Sequence, residues 1–156
     1  MLASLAYSLG CDNKQGIKIG DNPPEISGED MHGKLVNLSQ FKGKVVVLYF
    51  WKSSCCGDIL KMLQPFQSES KDKGLAVVAV NVGDSKAAVE SYAKDYSLTF
   101  SMLRDEDSKI FRKYNLFGFP TIFILDKNGI VREKIQGDIT IPLCQDSCRP
   151  GLKTLC

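Results

Sequence analysis

The sequence predicts a single α/β domain: a central mixed β-sheet flanked by helices on both faces, with an N-terminal β-hairpin extension. Three observations carry that expectation. Val45–Phe50 and Leu75–Val82 are unbroken apolar runs rich in β-branched residues, as strands covered on both faces are. Between them Ile59, Met62, Leu63 and Phe66 recur at helical spacing, so strand, helix and strand make a right-handed parallel crossover. Near the end, Thr121–Leu125 and Ile130–Gln136 flank Asp126-Lys127-Asn128-Gly129, whose Asn-Gly step predicts an antiparallel hairpin.

A chain of 156 residues suits one domain with a core that needs no staples. Its 44% hydrophobic and 24% charged residues are those of an ordinary globule. A net charge of +2 gives no electrostatic reason for a nucleic-acid partner. The chain is read as a monomer that needs no cofactor.

The first stretch, residues 1–11, carries no charged side chain and is apolar through Leu2, Ala3, Leu5, Ala6 and Leu9. It is too short to span a bilayer, which takes about twenty residues. It matches the apolar core of an export signal without the basic segment that should precede it. Ser8-Leu9-Gly10-Cys11 resembles the bacterial lipoprotein processing site, although a leucine is usual where Ser8 stands. One reading is therefore a shortened signal with lipid on Cys11 and an extracytoplasmic, membrane-anchored or periplasmic protein; the other is a cytoplasmic N-terminus. An earlier start would supply the basic end. Residues 12–17 read as a linker, 18–140 as the folded domain and 141–156 as a cysteine-rich tail.

Within the domain, short extended pieces are expected at Glu25–Ser27 and Lys34–Leu38, with Met31-His32-Gly33-Lys34 as the bend. His32, the one histidine, reads as a solvated turn residue rather than a base or ligand. After the first long strand, a helix should run to about Lys71, kinked at Pro65 and ended by Gly74. A second helix should start at Asp84 or Ser85 and present Val89, Tyr92, Ala93 and Tyr96 on one face. Thr99–Leu103 should be a strand and Asp105–Tyr114 a short helix.

Cys55 and Cys56 fall where the first long strand hands over to its helix, among Lys52, Ser53, Ser54, Gly57 and Asp58. A helix N-terminus favours an anion, and the thiolate is the reactive form of cysteine. Two small buried core residues would also explain the pair, but the junction and its polar neighbours favour redox or nucleophilic chemistry.

More specific residues carry a resemblance. A buried strand ends in Phe50-Trp51, Cys55 follows after three residues, and Gly118-Phe119-Pro120-Thr121 leads into a later strand. Leu38 to Val47 and Val77 to Val82 complete the ordered set. Over about residues 18–137 the chain resembles the TlpA/ResA-type thioredoxin-like thiol-disulfide oxidoreductases of the AhpC/TSA-thioredoxin superfamily. That resemblance implies a thioredoxin-like fold, protein or peptide disulfides as substrates and a thiol as reductant. It implies Cys55 as attacking nucleophile, a cis bond before Pro120, and substrate contacts from Trp51, Phe119, Pro120 and Thr121.

Two positions depart from the pattern. Asp58 stands where the resolving cysteine is expected, and Lys61 where many relatives carry a glutamate. Helix end, Lys52 and Lys61 would favour a thiolate while Asp58 opposes it. The second thiol of the exchange has three sources: adjacent Cys56, whose bond to Cys55 would close a small, strained ring; a tail cysteine, Cys144 or Cys148; or an external thiol. The tail spacing Cys144-x3-Cys148-x7-Cys156 matches no common zinc site, so no metal is expected. Two alternatives stand beside exchange. In a peroxiredoxin-like thiol peroxidase, Ser53 would precede Cys56 correctly but Tyr49 replaces the expected proline. In a redox-silent partner-binding module, the loss of a thiol at Asp58 would be the point.

Overall fold

The computed structural model describes residues 16–137. Among these residues seven strands and three α-helices follow in order: β1 Ser27–Glu29, β2 Leu35–Asn37, β3 Val45–Trp51, α1 Asp58–Ser70, β4 Leu75–Val82, α2 Lys86–Asp95, β5 Ser101–Asp105, α3 Lys109–Lys113, β6 Thr121–Leu125 and β7 Val131–Gln136. The main sheet has the order β5-β4-β3-β6-β7. β3 pairs parallel with β4 and β4 with β5, while β6 runs antiparallel to both β3 and β7. β1 and β2 form the separate N-terminal hairpin, tied to the sheet edge by a bridge between Asp30 and Leu103.

Every residue of β3 and β4 is buried, which explains why neither sequence alternates. Alternation survives in what each residue touches. Val45, Val47, Tyr49 and Trp51 face one layer with Leu60 and Leu63 of α1 and Val89 and Ala93 of α2. Val46, Leu48 and Phe50 face the other, with Tyr114, Leu116, Ile26 and Val36. Phe50, Tyr114 and Phe123 make a mutually packed aromatic group there, centroids 5.2–6.2 Å apart.

Several boundaries move from expectation for identifiable reasons. β1 begins at Ser27, not Glu25, because Ile26 is a buried anchor whose carbonyl accepts from Leu38 N. Its turn is held by the Asp30 carboxylate, which accepts from His32 N and Lys34 N, both at 2.9 Å. β5 extends to Asp105, and α3 therefore starts at Lys109. The Asp105 carboxylate accepts from Ile110 N and Phe111 N, so this residue caps the helix from the end of the strand rather than beginning it. α2 opens on Ser85, whose hydroxyl accepts from Ala88 N. α1 runs through Pro65 without a break; a short 3-10 turn at Lys71–Lys73 follows, and Gly74 closes it with φ of 80°.

Candidate active site

The C-terminal end of β3 delivers the cysteines. Lys52–Gly57 forms the turn between β3 and α1, so both sulfurs lie just ahead of the helix rather than within its first turn. Cys55 N and Cys56 N donate to the Lys52 carbonyl at 3.4 and 3.2 Å, folding the pair back over the strand end. Cys55 is exposed, Cys56 is buried, and a disulfide joins the two.

Two groups that the sequence did not single out, Tyr49 and Asp84, hold this turn, and a third, Tyr92, packs against Gly57. Tyr49 is wholly buried and its hydroxyl donates to the Cys56 carbonyl at 2.7 Å. Asp84, just beyond β4, accepts from Ser53 N at 2.8 Å and from the side-chain amide of Asn81 at 2.7 Å. Burial alone would raise the Asp84 carboxyl, but the Asn81 and Ser53 hydrogen bonds and the Lys52 charge outweigh it and hold it below the usual range. Tyr92 lies on α2 with its ring centroid 5.0 Å from that of Trp51 and its hydroxyl buried without a partner among the described residues. The available signals were thin: an asparagine inside an apolar strand run, and a tyrosine that read as one more member of an apolar helix face.

Of the expected site residues, Trp51 is fully buried and shares a core cluster with Cys56. Its indole N–H has no partner among the described residues. Register places Pro120 at the same end of the sheet, since Phe50 pairs with Thr121 across antiparallel β3 and β6. The Phe119–Pro120 bond is cis. Thr121 is turned inward, its hydroxyl donating to the Gly118 carbonyl at 2.8 Å. Phe119 is half-buried and stacks on Phe111 at 4.8 Å, whereas Phe117 on the same loop is 82% exposed. Asp58 and Lys61 form an ion pair with each other at 2.6 Å, and the Lys61 ammonium also sits 3.9 Å over the Tyr96 ring. The Asp58 hydrogen bond, seconded by Tyr96, raises the Lys61 ammonium above its usual range. The two charges thus offset one another at the start of α1. Cys11, Cys144, Cys148 and Cys156 lie outside the described residues.

An exposed cysteine bonded to a buried one, at the sheet end that also carries a cis-proline, is a thiol-disulfide arrangement on a thioredoxin-like sheet. The AhpC/TSA family pattern matches residues 19–134. The chain belongs to the AhpC/TSA family. Among its relatives, the thiol-disulfide oxidoreductase ResA of Geobacillus kaustophilus is 32% identical over 145 residues, spanning 90% of this chain and 83% of that protein. ResA of Bacillus subtilis is 33% identical over 142 residues, spanning 90% and 79%. The crystal structure of a Chlorobium tepidum protein described as a thiol:disulfide interchange protein DsbE superposes with a TM-score of 0.76 at 30% identity, covering 83% of this chain and 94% of that one. These matches make the chain a thioredoxin-like thiol-disulfide oxidoreductase of the ResA type. The alternatives of peroxide reduction and redox silence are not better supported.

Proposed function

We propose that this AhpC/TSA-family oxidoreductase exchanges disulfides in protein or peptide substrates through Cys55, with adjacent Cys56 as its intramolecular partner. The observation that carries this reading is the bonded pair itself, one sulfur open to solvent and the other covered. In the reducing direction the Cys55 thiolate attacks a substrate disulfide; one substrate sulfur leaves as thiolate and Cys55 becomes a mixed disulfide. Cys56 then attacks the Cys55 sulfur, releasing the second substrate thiolate and forming the Cys55–Cys56 bond. A thiol reductant returns two electrons to restart the cycle. In this scheme Asp58 contributes no sulfur; with Lys61 it fixes the charge at the helix start. Phe119 and Pro120 offer the surface against which an extended substrate lies, with Trp51 and inward-turned Thr121 supporting it from below. The Phe119–Pro120 loop shares the sheet end with the cysteines, which supports that role.

We further propose an extracytoplasmic setting, with lipid on Cys11 as the anchor and a monomeric folded unit over residues 18–140. The Ser8-Leu9-Gly10-Cys11 sequence and the value of a redox disulfide in an oxidising compartment support the setting. The test is mass-spectrometric disulfide mapping with and without a peptide disulfide. Cys55→Ser should abolish reductase activity, and Cys56→Ser should accumulate mixed disulfide on Cys55. Retained activity in the first variant would remove Cys55 from the mechanism; unchanged trapping in the second would transfer resolution to another thiol.

A further inference from the structure

In the oxidised molecule an external thiolate can reach only the exposed sulfur. Its attack on Cys55 forms a new S–S bond there and breaks the Cys55–Cys56 bond, and the electron pair leaves on the Cys56 sulfur. A second thiol then cleaves the mixed disulfide, freeing the Cys55 thiol and an oxidised reductant. The first step puts negative charge on a residue only 5% exposed, inside the cluster that holds Trp51, Leu60, Leu63 and Tyr92. A buried anion is costly unless hydrogen-bond donors meet it.

Most polar groups around that position are already committed. The Tyr49 hydroxyl serves the Cys56 carbonyl, Asp84 serves Ser53 and Asn81, and Asp58 and Lys61 serve each other. Among the described residues the buried donors beside the pair that lack partners are the Trp51 indole N–H and the Tyr92 hydroxyl. Buried donors are rarely left unpaired, so each needs a reason. A second observation concerns Gly57, the residue after Cys56. Its backbone has φ of −63° and ψ of −30°, ordinary helical values that any residue adopts. Glycine is needed for room: a Cβ there would overlap the Tyr92 hydroxyl and lie 2.6 Å from Cζ and 2.9 Å from Cε2 of that ring. The chain gives up a side chain next to Cys56 and admits an unpaired hydroxyl.

We propose that the Tyr92 hydroxyl is the hydrogen-bond donor that receives the Cys56 sulfur when the Cys55–Cys56 bond opens. Its missing partner in the oxidised state is the sulfur that the disulfide withholds. The inference rests on the Cys55–Cys56 couple proposed above. Charged or titratable groups facing Tyr92 are Asp58 and Lys61 from α1 and Tyr96 from its own helix, and none of them changes in the test.

Tyr92→Phe keeps the ring between Trp51 and Tyr96, at 5.0 and 4.7 Å, and removes only the donor. In the oxidised protein the variant should be as stable as the parent or slightly more so, because an unpaired buried hydroxyl is lost. In the reduced protein it loses a charge-assisted bond. Equilibration with a glutathione buffer should therefore shift toward the disulfide by about 10-fold to 100-fold, equivalent to a potential about 30–60 mV lower. Iodoacetamide alkylation of Cys56, followed by peptide mapping so that tail thiols are counted separately, should move to higher pH. An unchanged equilibrium constant and alkylation profile would overturn the proposal, as would equal destabilisation of both redox states. If the parent pair does not cycle with glutathione at all, the couple itself fails and this inference falls with it.

Discussion

Replacing Tyr49 with phenylalanine removes one oxygen atom from the core beneath the cysteines and leaves the ring in place. That oxygen donates to the Cys56 carbonyl at 2.7 Å, in a setting where the tyrosine has no solvent exposure. With the donor gone, a covered carbonyl keeps its desolvation cost without its bond, which destabilises the fold by about 1–3 kcal/mol. For a domain of this size the melting midpoint should fall by roughly 2–12 °C. The same bond pins Cys56 down against the end of β3, so alkylation of Cys56 in the reduced variant should also accelerate. Calorimetry of the oxidised protein and timed alkylation with peptide mapping read the two effects. A midpoint within about 1 °C of the parent would show that the carbonyl finds another donor and that Tyr49 does not hold the turn. The contrast with Tyr92→Phe is the sharper check. The two substitutions delete the same atom, yet the partnered hydroxyl should cost stability in the oxidised state and the unpartnered one should not.

Other outcomes follow from the same turn. Gly57→Ala should destabilise by about 1–3 kcal/mol through overpacking against Tyr92, and adding Tyr92→Ala should recover much of that loss in a double-mutant cycle; strict additivity would refute the contact. Asp84 has a folded carboxyl below its unfolded value of about 3.9, so its contribution is present above that value and lost as pH falls through the lower folded one. The urea midpoint should accordingly drop less between about pH 5 and about pH 3 in Asp84→Asn than in the parent, and an equal drop would remove Asp84 from the acid response.

Sequence pattern found what depends on burial and spacing. β3 and β4 announce themselves because both faces are covered, and the last hairpin because Asn128-Gly129 sets its turn, with Gly129 at φ of 81°. Cys55, Pro120 and the sheet end they share were legible through motif context. The supports of the site were not. Tyr49 looks like any strand aromatic until its hydroxyl is seen to reach seven residues onward, and Tyr92 looks like a core-facing helix residue until Gly57 is found to make room for it. Boundaries slipped where a side chain overrode propensity. Asp105 carries helix-start chemistry but spends it from inside a strand, which shortened α3 by four residues at its start.

The bond from Ser53 N to Asp84 also orders events in time. It spans thirty-one residues, and its acceptor is held by Asn81 at the far end of β4. Cys55 and Cys56 therefore leave the ribosome well before Asn81 and Asp84, whereas Tyr49 and Lys52, which also shape their turn, precede them. Until β4 has docked beside β3, the pair is two ordinary thiols in an open chain that carries six cysteines. Long-range contacts of this kind form late, so the local bonds to Lys52 and from Tyr49 are completed only when the sheet brings Asp84 to Ser53. A chain arrested before residue 84 would hold both sulfurs without the geometry that makes them a site.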